Sequence, residues 1–262
     1  MYLDFHTHCK LAKKLAFSRE YTDWLFDQAK GAGLDALCLT EHFNTQQFER
    51  IYEYVASIAR REGDSFMLKN GLRIFAGMET DIAEGGHILT VGPMESILEL
   101  HSRLNSYMQK ENFMRFSELM ELFEPYPVLV GAAHPFRDGG HIPELPEEQQ
   151  RRLDFLDLNG KDMALDPLRT EELTFELGRR LGKPVVGGSD THQALQYGCI
   201  RTRFDEEFTT LHELEKAMRA QSYTIELHPE AEFRVKAACT LKRALKEIEA
   251  LGGDYVSALL HT

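Results

Sequence analysis

Two histidines one residue apart, His6 and His8, close the first apolar run of the chain, Tyr2-Leu3-Asp4-Phe5. On a strand, residues i and i+2 face the same side, so these imidazoles form a two-toothed clamp for a transition metal. Near the other end, Val185-Val186-Gly187-Gly188 runs into a second pair at the same spacing, Asp190 and His192. Between the two pairs, Glu41 with His42, then Glu79, then His134, each follow an apolar run. His87 opens a returning run just after the turn Glu84-Gly85-Gly86, which sets it on one rim with Glu79. Ligand-type side chains at the ends of so many separate strands point to one metal-binding rim, the C-terminal face of a parallel barrel.

The donor set is rich in imidazole, holds a few carboxylates and lacks a thiolate pair. It suits zinc, manganese or iron better than calcium or magnesium. It also exceeds the three or four ligands that one catalytic zinc takes, so at least two ions are expected, with Glu79 or another carboxylate as a bridge. Paired ions of this kind serve hydrolysis.

The elements that must position these groups alternate between strand and helix patterns. Ser18 caps a helix with Tyr21, Leu25, Ala29 and Ala32 on its apolar side. Residues 34–39 read as the second strand. Asn44 and Gln47 resemble a capping box ahead of a helical stripe of Phe48, Ile51, Tyr52, Val55, Ile58 and Ala59. Strands follow over 72–78, 87–91, 128–133 and 153–158, with helices over 95–103 and 116–123 between them. Asp166-Pro167 opens a helix that Gly182 closes. Thr210 and Glu213 cap another helix, residues 223–227 form a last strand, and residues 230–251 form a long amphipathic helix.

Net charge is −12 over 262 residues, so long nucleic acid, normally met by a basic field, is not the expected partner. The four cysteines lie far apart with no CxxC pair, which suggests neither a disulfide framework nor a thiolate zinc knuckle. There is no basic and apolar leader and no apolar run long enough to span a bilayer, so a cytoplasmic protein without a membrane partner is expected.

The order His6-x-His8, Glu41-His42, Glu79, His87, His134-Pro135 and Asp190-x-His192 resembles the polymerase and histidinol phosphatase (PHP) family of metal-dependent phosphoesterases. The match runs from Asp4 to His192. The resemblance implies an α/β fold, a distorted seven-stranded TIM-like β/α barrel with its metal site at the C-terminal rim of the strands. It implies a single barrel domain over 1–262, with the C-terminal helix packed on the outside. One ion would be held by His6, His8, Glu79 and Asp190, a second by Glu79, His87 and His134, and a third by His42 and His192. The family usually supplies one more Asp or His soon after the HxH, whereas this chain reads Cys9-Lys10-Leu11-Ala12-Lys13-Lys14. The third ion is then weak and completed by water, phosphate or Glu41, or else a lysine ammonium replaces part of its charge.

By that resemblance the chain is a phosphoesterase acting on a small phosphorylated substrate, with a metal-bound hydroxide attacking phosphorus. Asp190 and His192 are expected in the catalytic group. Arg137, three residues after His134, is placed to hold phosphate by a forked contact. Arg201, Arg203 and Asn159 are weaker candidates for substrate contact, His141 is a candidate member of a lid, and Asp4 is expected to support ligands rather than be one. Two other classes fit less well. An amidohydrolase-type C–N or C–O hydrolase also opens with HxH, but often bridges its metals with a lysine and lacks the closing Asp-x-His. A non-catalytic metal-binding PHP module would not need so complete a ligand set.

Overall fold

The protein is described by a computed structural model covering residues 1–261. Its strands are β1 (Tyr2–Thr7), β2 (Ala36–Leu39), β3 (Ala59–Glu62), β4 (Ser65–Leu68), β5 (Arg73–Asp81), β6 (His87–Val91), β7 (Leu129–Ala133), β8 (Phe155–Asn159), β9 (Val185–Gly188), β10 (Ile200–Phe204) and β11 (Tyr223–Leu227). The helices are α1 (Arg19–Gly31), α2 (Phe48–Ile58), α3 (Met94–Arg103), α4 (Phe116–Phe123), α5 (Glu147–Gln150), α6 (Gly160–Leu165), α7 (Pro167–Leu181), α8 (Leu211–Arg219), α9 (Ala231–Ala250) and α10 (Tyr255–Leu260).

Seven strands succeed one another in the order β1-β2-β5-β6-β7-β8-β9, while β10 and β11 extend the sheet from the other edge of β1. This is the TIM-like barrel expected, enlarged by the β10–β11 pair and by the β3–β4 hairpin, which pairs with β5 through β4. All the barrel pairings except those of β6 are parallel. Strand β6 runs antiparallel to both β5 and β7, with Asp81 opposite His87. Its first residue therefore lies where its neighbours end, which is how His87 reaches the same rim as Glu79. The rim closes between β1 and the segment after β9, where His8 N donates to Thr191 O at 2.9 Å and Asp190 N to His6 O at 2.7 Å.

One face of the sheet packs on the helices. Tyr21 and Leu25 of α1, Ile51 and Tyr52 of α2, and Leu177 of α7 bury against Leu37, Leu39, Ile74 and Leu156. The opposite face holds Leu3, Phe5, Phe75 and Phe155 together with Leu211, Leu214 and Met218 of α8. Helix caps follow the local sequence. Ser18 Oγ accepts from Tyr21 N, Thr210 and Glu213 form a capping box, and Gly182 ends α7 with φ 68°.

Helix α2 departs from the expected start. Its N-cap is Gln47, at φ 61° and without a capping bond, because the Gln47 side chain accepts from Phe17 N and Asn44 Nδ2 reaches Asp81. Ala59, read as part of this helix, instead begins β3. Helix α9 packs on α6 and on the short turn Ala194–Gln196, burying Ala231, Val235, Ala238 and Leu245. No helix among the described residues is long and apolar enough to cross a membrane.

Gly188 ends β9 where the backbone passes close to β1 and β8. A Cβ there would lie 2.5 Å from Asp157 Oδ1 and 2.6 Å from His6 Cβ. Gly188→Ala should therefore destabilise the fold by about 1–3 kcal/mol and weaken metal binding, since it pushes on His6 and its partner together. A denaturant midpoint and metal content equal to those of the parent would contradict this packing.

Candidate metal centre

Strand β1 carries His6 and His8 to the rim, both completely buried, with their Nε2 atoms 3.3 Å apart. Each ring is turned by a carboxylate behind it. His6 Nδ1 lies 3.0 Å from Asp157 Oδ2, and His8 Nδ1 lies 3.4 Å from Glu41 Oε1. A proton on Nδ1 shared with a carboxylate leaves the Nε2 lone pair free to point into the site.

Glu79, near the end of β5 and 1% exposed, occupies the middle. Its Oε2 lies 3.5 Å from His6 Nε2, 3.3 Å from His8 Nε2 and 2.7 Å from His42 Nδ1. Its other oxygen, Oε1, lies 2.6 Å from His87 Nδ1 and 3.3 Å from His134 Nε2. One carboxylate thus faces two separate sets of imidazoles, one with each oxygen.

The loop after β9 supplies the rest. Asp190 Oδ1 is 3.4 Å from His8 Nε2, and its Oδ2 accepts from Arg137 at 2.8 Å. His192 stacks on His8 at a centroid distance of 4.0 Å, and its carbonyl accepts from Tyr21 Oη at 2.7 Å. Asp190 and His134 both have left-handed backbones, φ 57° and 31°. That conformation costs on the order of 1–3 kcal/mol in a non-glycine residue and is held here by surrounding bonds, among them Asp190 N to His6 O.

Three groups of donors converge closely enough to share an ion: His6, His8 and Asp190; Glu79, His87 and His134; and His8, His42 and His192. The eight residues singled out from sequence, His6, His8, His42, Glu79, His87, His134, Asp190 and His192, all fall within them. Two donors about 2.0–2.1 Å from one tetrahedral ion lie roughly 3.3–3.4 Å apart. The separations among His6, His8, Glu79 and Asp190 come close to that spacing. His42 Nδ1 and Glu79 Oε2, 2.7 Å apart, are buried without a well-aligned hydrogen bond to each other or to any other group, a state that is costly unless a further group such as an ion engages both. The donor set fits divalent ions.

The charges in this cluster are strongly coupled. Burial opposes ionisation of Glu79, but the surrounding imidazoles, led by His42, His87 and His6, hold it well below the usual carboxylate range. Asp190 is held low against burial by His8, His6 and Arg137. Burial alone would depress His87, yet Glu79 and Asp81 overcome it and push the imidazole up to about 10. His6 and His8 are likewise raised against burial by neighbouring carboxylates. His134 is pulled down to about 4 by burial and then by Arg137.

The remaining sequence candidates divide sharply. Arg137 lines the cavity, but its guanidinium is engaged with protein acceptors: Nε with Asp162 Oδ1 at 2.9 Å, one terminal nitrogen with Asp190 and the other with Asn159 Oδ1 at 2.8 Å. The forked contact expected for phosphate is thus made to Asp190 and its neighbours. Asn159 caps α6 and donates to Asp157. Arg201 and Arg203 pair with Glu226, and exposed His141 pairs with Glu144. Lys10 is buried against Thr45 and Gln46, and Lys14 is exposed. Lys13 meets the site indirectly through Asp81, 3.1 Å away, whose other oxygen is 3.1 Å from His87 Nε2. Glu41 does not complete a third group, because it is spent on His8, the His42 backbone and Cys9 N. That group draws on His8 instead.

Sequence reasoning missed Asp157, Lys161 and Lys242. Asp157 left one signal, a lone acid inside the apolar run Phe155-Leu156-Asp157-Leu158. Lys161 and Lys242 left none, since lysines on amphipathic helices look like solvated surface. The cavity they share with the ligands is about 220 Å³ in volume. A larger groove of about 650 Å³ lies between α7 and the β10–β11 pair, away from the ligands, with a mixed polar and apolar lining.

The PHP domain family model matches residues 4–159, and a model described as PHP-associated matches residues 173–223. The chain belongs to the PHP family. No curated protein matches its sequence. Among solved structures, PsfC from Pseudomonas syringae PB-5123 is 20% identical with a TM-score of 0.73, covering 93% of this chain and 98% of that one. The lesion-specific endonuclease PfuEndoQ from Pyrococcus furiosus is 18% identical with a TM-score of 0.63, covering 86% of this chain and 57% of its own. A complex of endonuclease Q with a 27-mer duplex substrate carrying an abasic lesion at the active site gives 18% and 0.62, over 84% of this chain and 56% of that one. At these identities the likeness is one of fold, and this chain spans little more than half of endonuclease Q. The family match and the convergent His, Asp and Glu side chains support a metal-dependent hydrolase.

Ligand imidazoles must be neutral, whereas without ions His6, His8 and His87 are raised toward protonation at neutral pH. Adding zinc or manganese to the ion-free protein in weak buffer at pH 7 should therefore release protons, and apparent affinity should rise with pH. The sign for stability is opposite. The contribution of protonated His87 to the ion-free fold is fully present below pH 6.5 and is lost as pH rises through about 10. A pH-stat titration showing no proton release would mean that these imidazoles are already neutral.

Proposed function

We propose that this chain hydrolyses small phosphate esters with two firmly held divalent ions and a third held more weakly. The observation that carries the reading is the split environment of Glu79, whose two oxygens each face their own imidazoles. His6, His8, Asp190 and Glu79 Oε2 would hold one ion, and Glu79 Oε1, His87 and His134 the second. His42 and His192, helped by His8, would hold the third. When bound, such paired ions supply Lewis acidity at the phosphoryl oxygens and acidify a water for attack.

The chain's own residues then have distinct tasks. Asp157 and Glu41 fix the tautomers of His6 and His8 so that Nε2 faces the site. Arg137 holds one oxygen of Asp190 and leaves the other toward the imidazoles. His192 is kept neutral by burial and then by His8, and its Nδ1 lies 3.3 Å from the Asp190 carbonyl oxygen. Its Nε2 is therefore the free nitrogen, the one a third ion would use.

The substrate is small on this reading. A volume of about 220 Å³ falls below the usual range for ligand pockets, and the net charge of −12 opposes a long polyanion. The relevant test supplies manganese, zinc or iron separately and compares one nucleotide with a long oligomer at matched phosphate concentration. The nucleotide should be turned over faster, and His8→Ala and Asp190→Ala should each lower turnover by at least about a hundredfold while the protein stays folded. Faster cleavage of the oligomer would reject the small-substrate reading. Full activity in either variant after metal repletion would reject the shared metal site.

A further inference from the structure

Besides the ligands, the cavity is lined by Lys161 of α6 and by Ala238, Cys239 and Lys242 of α9. Helix α9 lies beyond both family-model matches, which end at residues 159 and 223. It is anchored on α6 and on the turn Ala194–Gln196. Both lysines are partly buried. Lys13 pairs with Asp81 and Lys30 with Asp35, but Lys161 and Lys242 have no carboxylate within 4.0 Å and no side-chain acceptor among the described residues. In a chain with net charge −12, two unpaired ammonium groups facing one small cavity are unusual. A half-buried charge is stabilised by a counter-charge; Lys242 feels Asp190 and Glu41 only beyond contact distance, which leaves both ammonium groups open to an anionic ligand.

We propose that Lys161 and Lys242 form an anion-reading wall that grips the outer oxygens of a terminal phosphoryl group, making the site selective for phosphomonoesters over diesters. This rests on the esterase reading for its catalytic part, but not for its binding part. A monoester phosphoryl carries close to two negative charges at neutral pH, matching two ammonium groups, whereas a diester carries one. A diester also needs room for a second substituent, in a cavity of about 220 Å³ that α9 already borders.

The test uses the metal-loaded full chain and inorganic phosphate as the probe. Cys239 lines the cavity and is partly accessible, while Cys9, Cys38 and Cys199 are buried, so maleimide labelling reports on this wall. Phosphate should slow labelling of Cys239. In Lys242→Met and Lys161→Met the phosphate concentration for half-protection should rise roughly 10- to 100-fold, the loss of one charge-assisted bond, with metal content unchanged. In parallel, the ratio of kcat/KM for p-nitrophenyl phosphate to that for bis(p-nitrophenyl) phosphate should fall at least tenfold. Lys242→Arg should keep most of both properties, and it decides the matter together with Lys161→Met if Lys242→Met does not fold.

Unchanged half-protection in folded, metal-replete variants would overturn the proposal, as would equal loss on both esters. Lysine-dependent phosphate binding without hydrolysis of either ester would leave the wall standing and reject the esterase reading. Hydrolysis that ignores both lysines would do the reverse.

Discussion

The Glu79 carboxylate sits almost wholly out of solvent among five imidazoles, those of His6, His8, His42, His87 and His134. A carboxylate in that position is tolerated only where positive charge surrounds it. The barrel is arranged to provide this. Strand β5 carries Glu79 to the rim, a bridge between His42 and Glu79 extends the β2–β5 pairing, and the reversed β6 returns His87 to the same level. The close passage at Gly188 lets β8 and β1 bring Asp157 to His6.

Around that centre the order is hierarchical. The His6 and His8 imidazoles face inward because Asp157 and Glu41 stand behind them, and Asp190 faces inward because Arg137 holds its other oxygen. Arg137 is itself held by Asp162 and Asn159, so the α6 cap, the β8 end and the β9 loop form one polar network. The left-handed backbones at His134 and Asp190 fit the same account, since strain of this size persists where many bonds determine the position. The network leaves little freedom in the ligand positions, which suits the proposed site, where two ions would sit at a fixed separation.

Much of this was legible in the sequence because strand ends announce themselves. His6-x-His8 and Asp190-x-His192 follow short apolar runs whose length reads as strand, and the turn Glu84-Gly85-Gly86 shows why His87 belongs with Glu79. The cap at Asn44 was misread because its side chain and that of Gln47 serve tertiary partners, which local pattern does not register. The β3–β4 hairpin was missed because Ala59 continues the helical stripe in composition while its backbone turns extended. Arg137 was recognised as belonging to the rim, but its partners come from residues 22 to 53 positions away. Lys161 and Lys242 gain meaning only when two helices are laid over one cavity, and sequence spacing carries no trace of that.

Glu79 is proposed as the carboxylate that two ions would share. Electron paramagnetic resonance of the manganese-loaded chain tests it most directly, because two ions roughly 3.5–4 Å apart with a shared carboxylate are magnetically coupled. A coupled multiline spectrum at two ions per chain, collapsing to isolated-ion signals in Glu79→Ala, is the predicted result. Isolated-ion signals from the unmodified chain at full loading would contradict it.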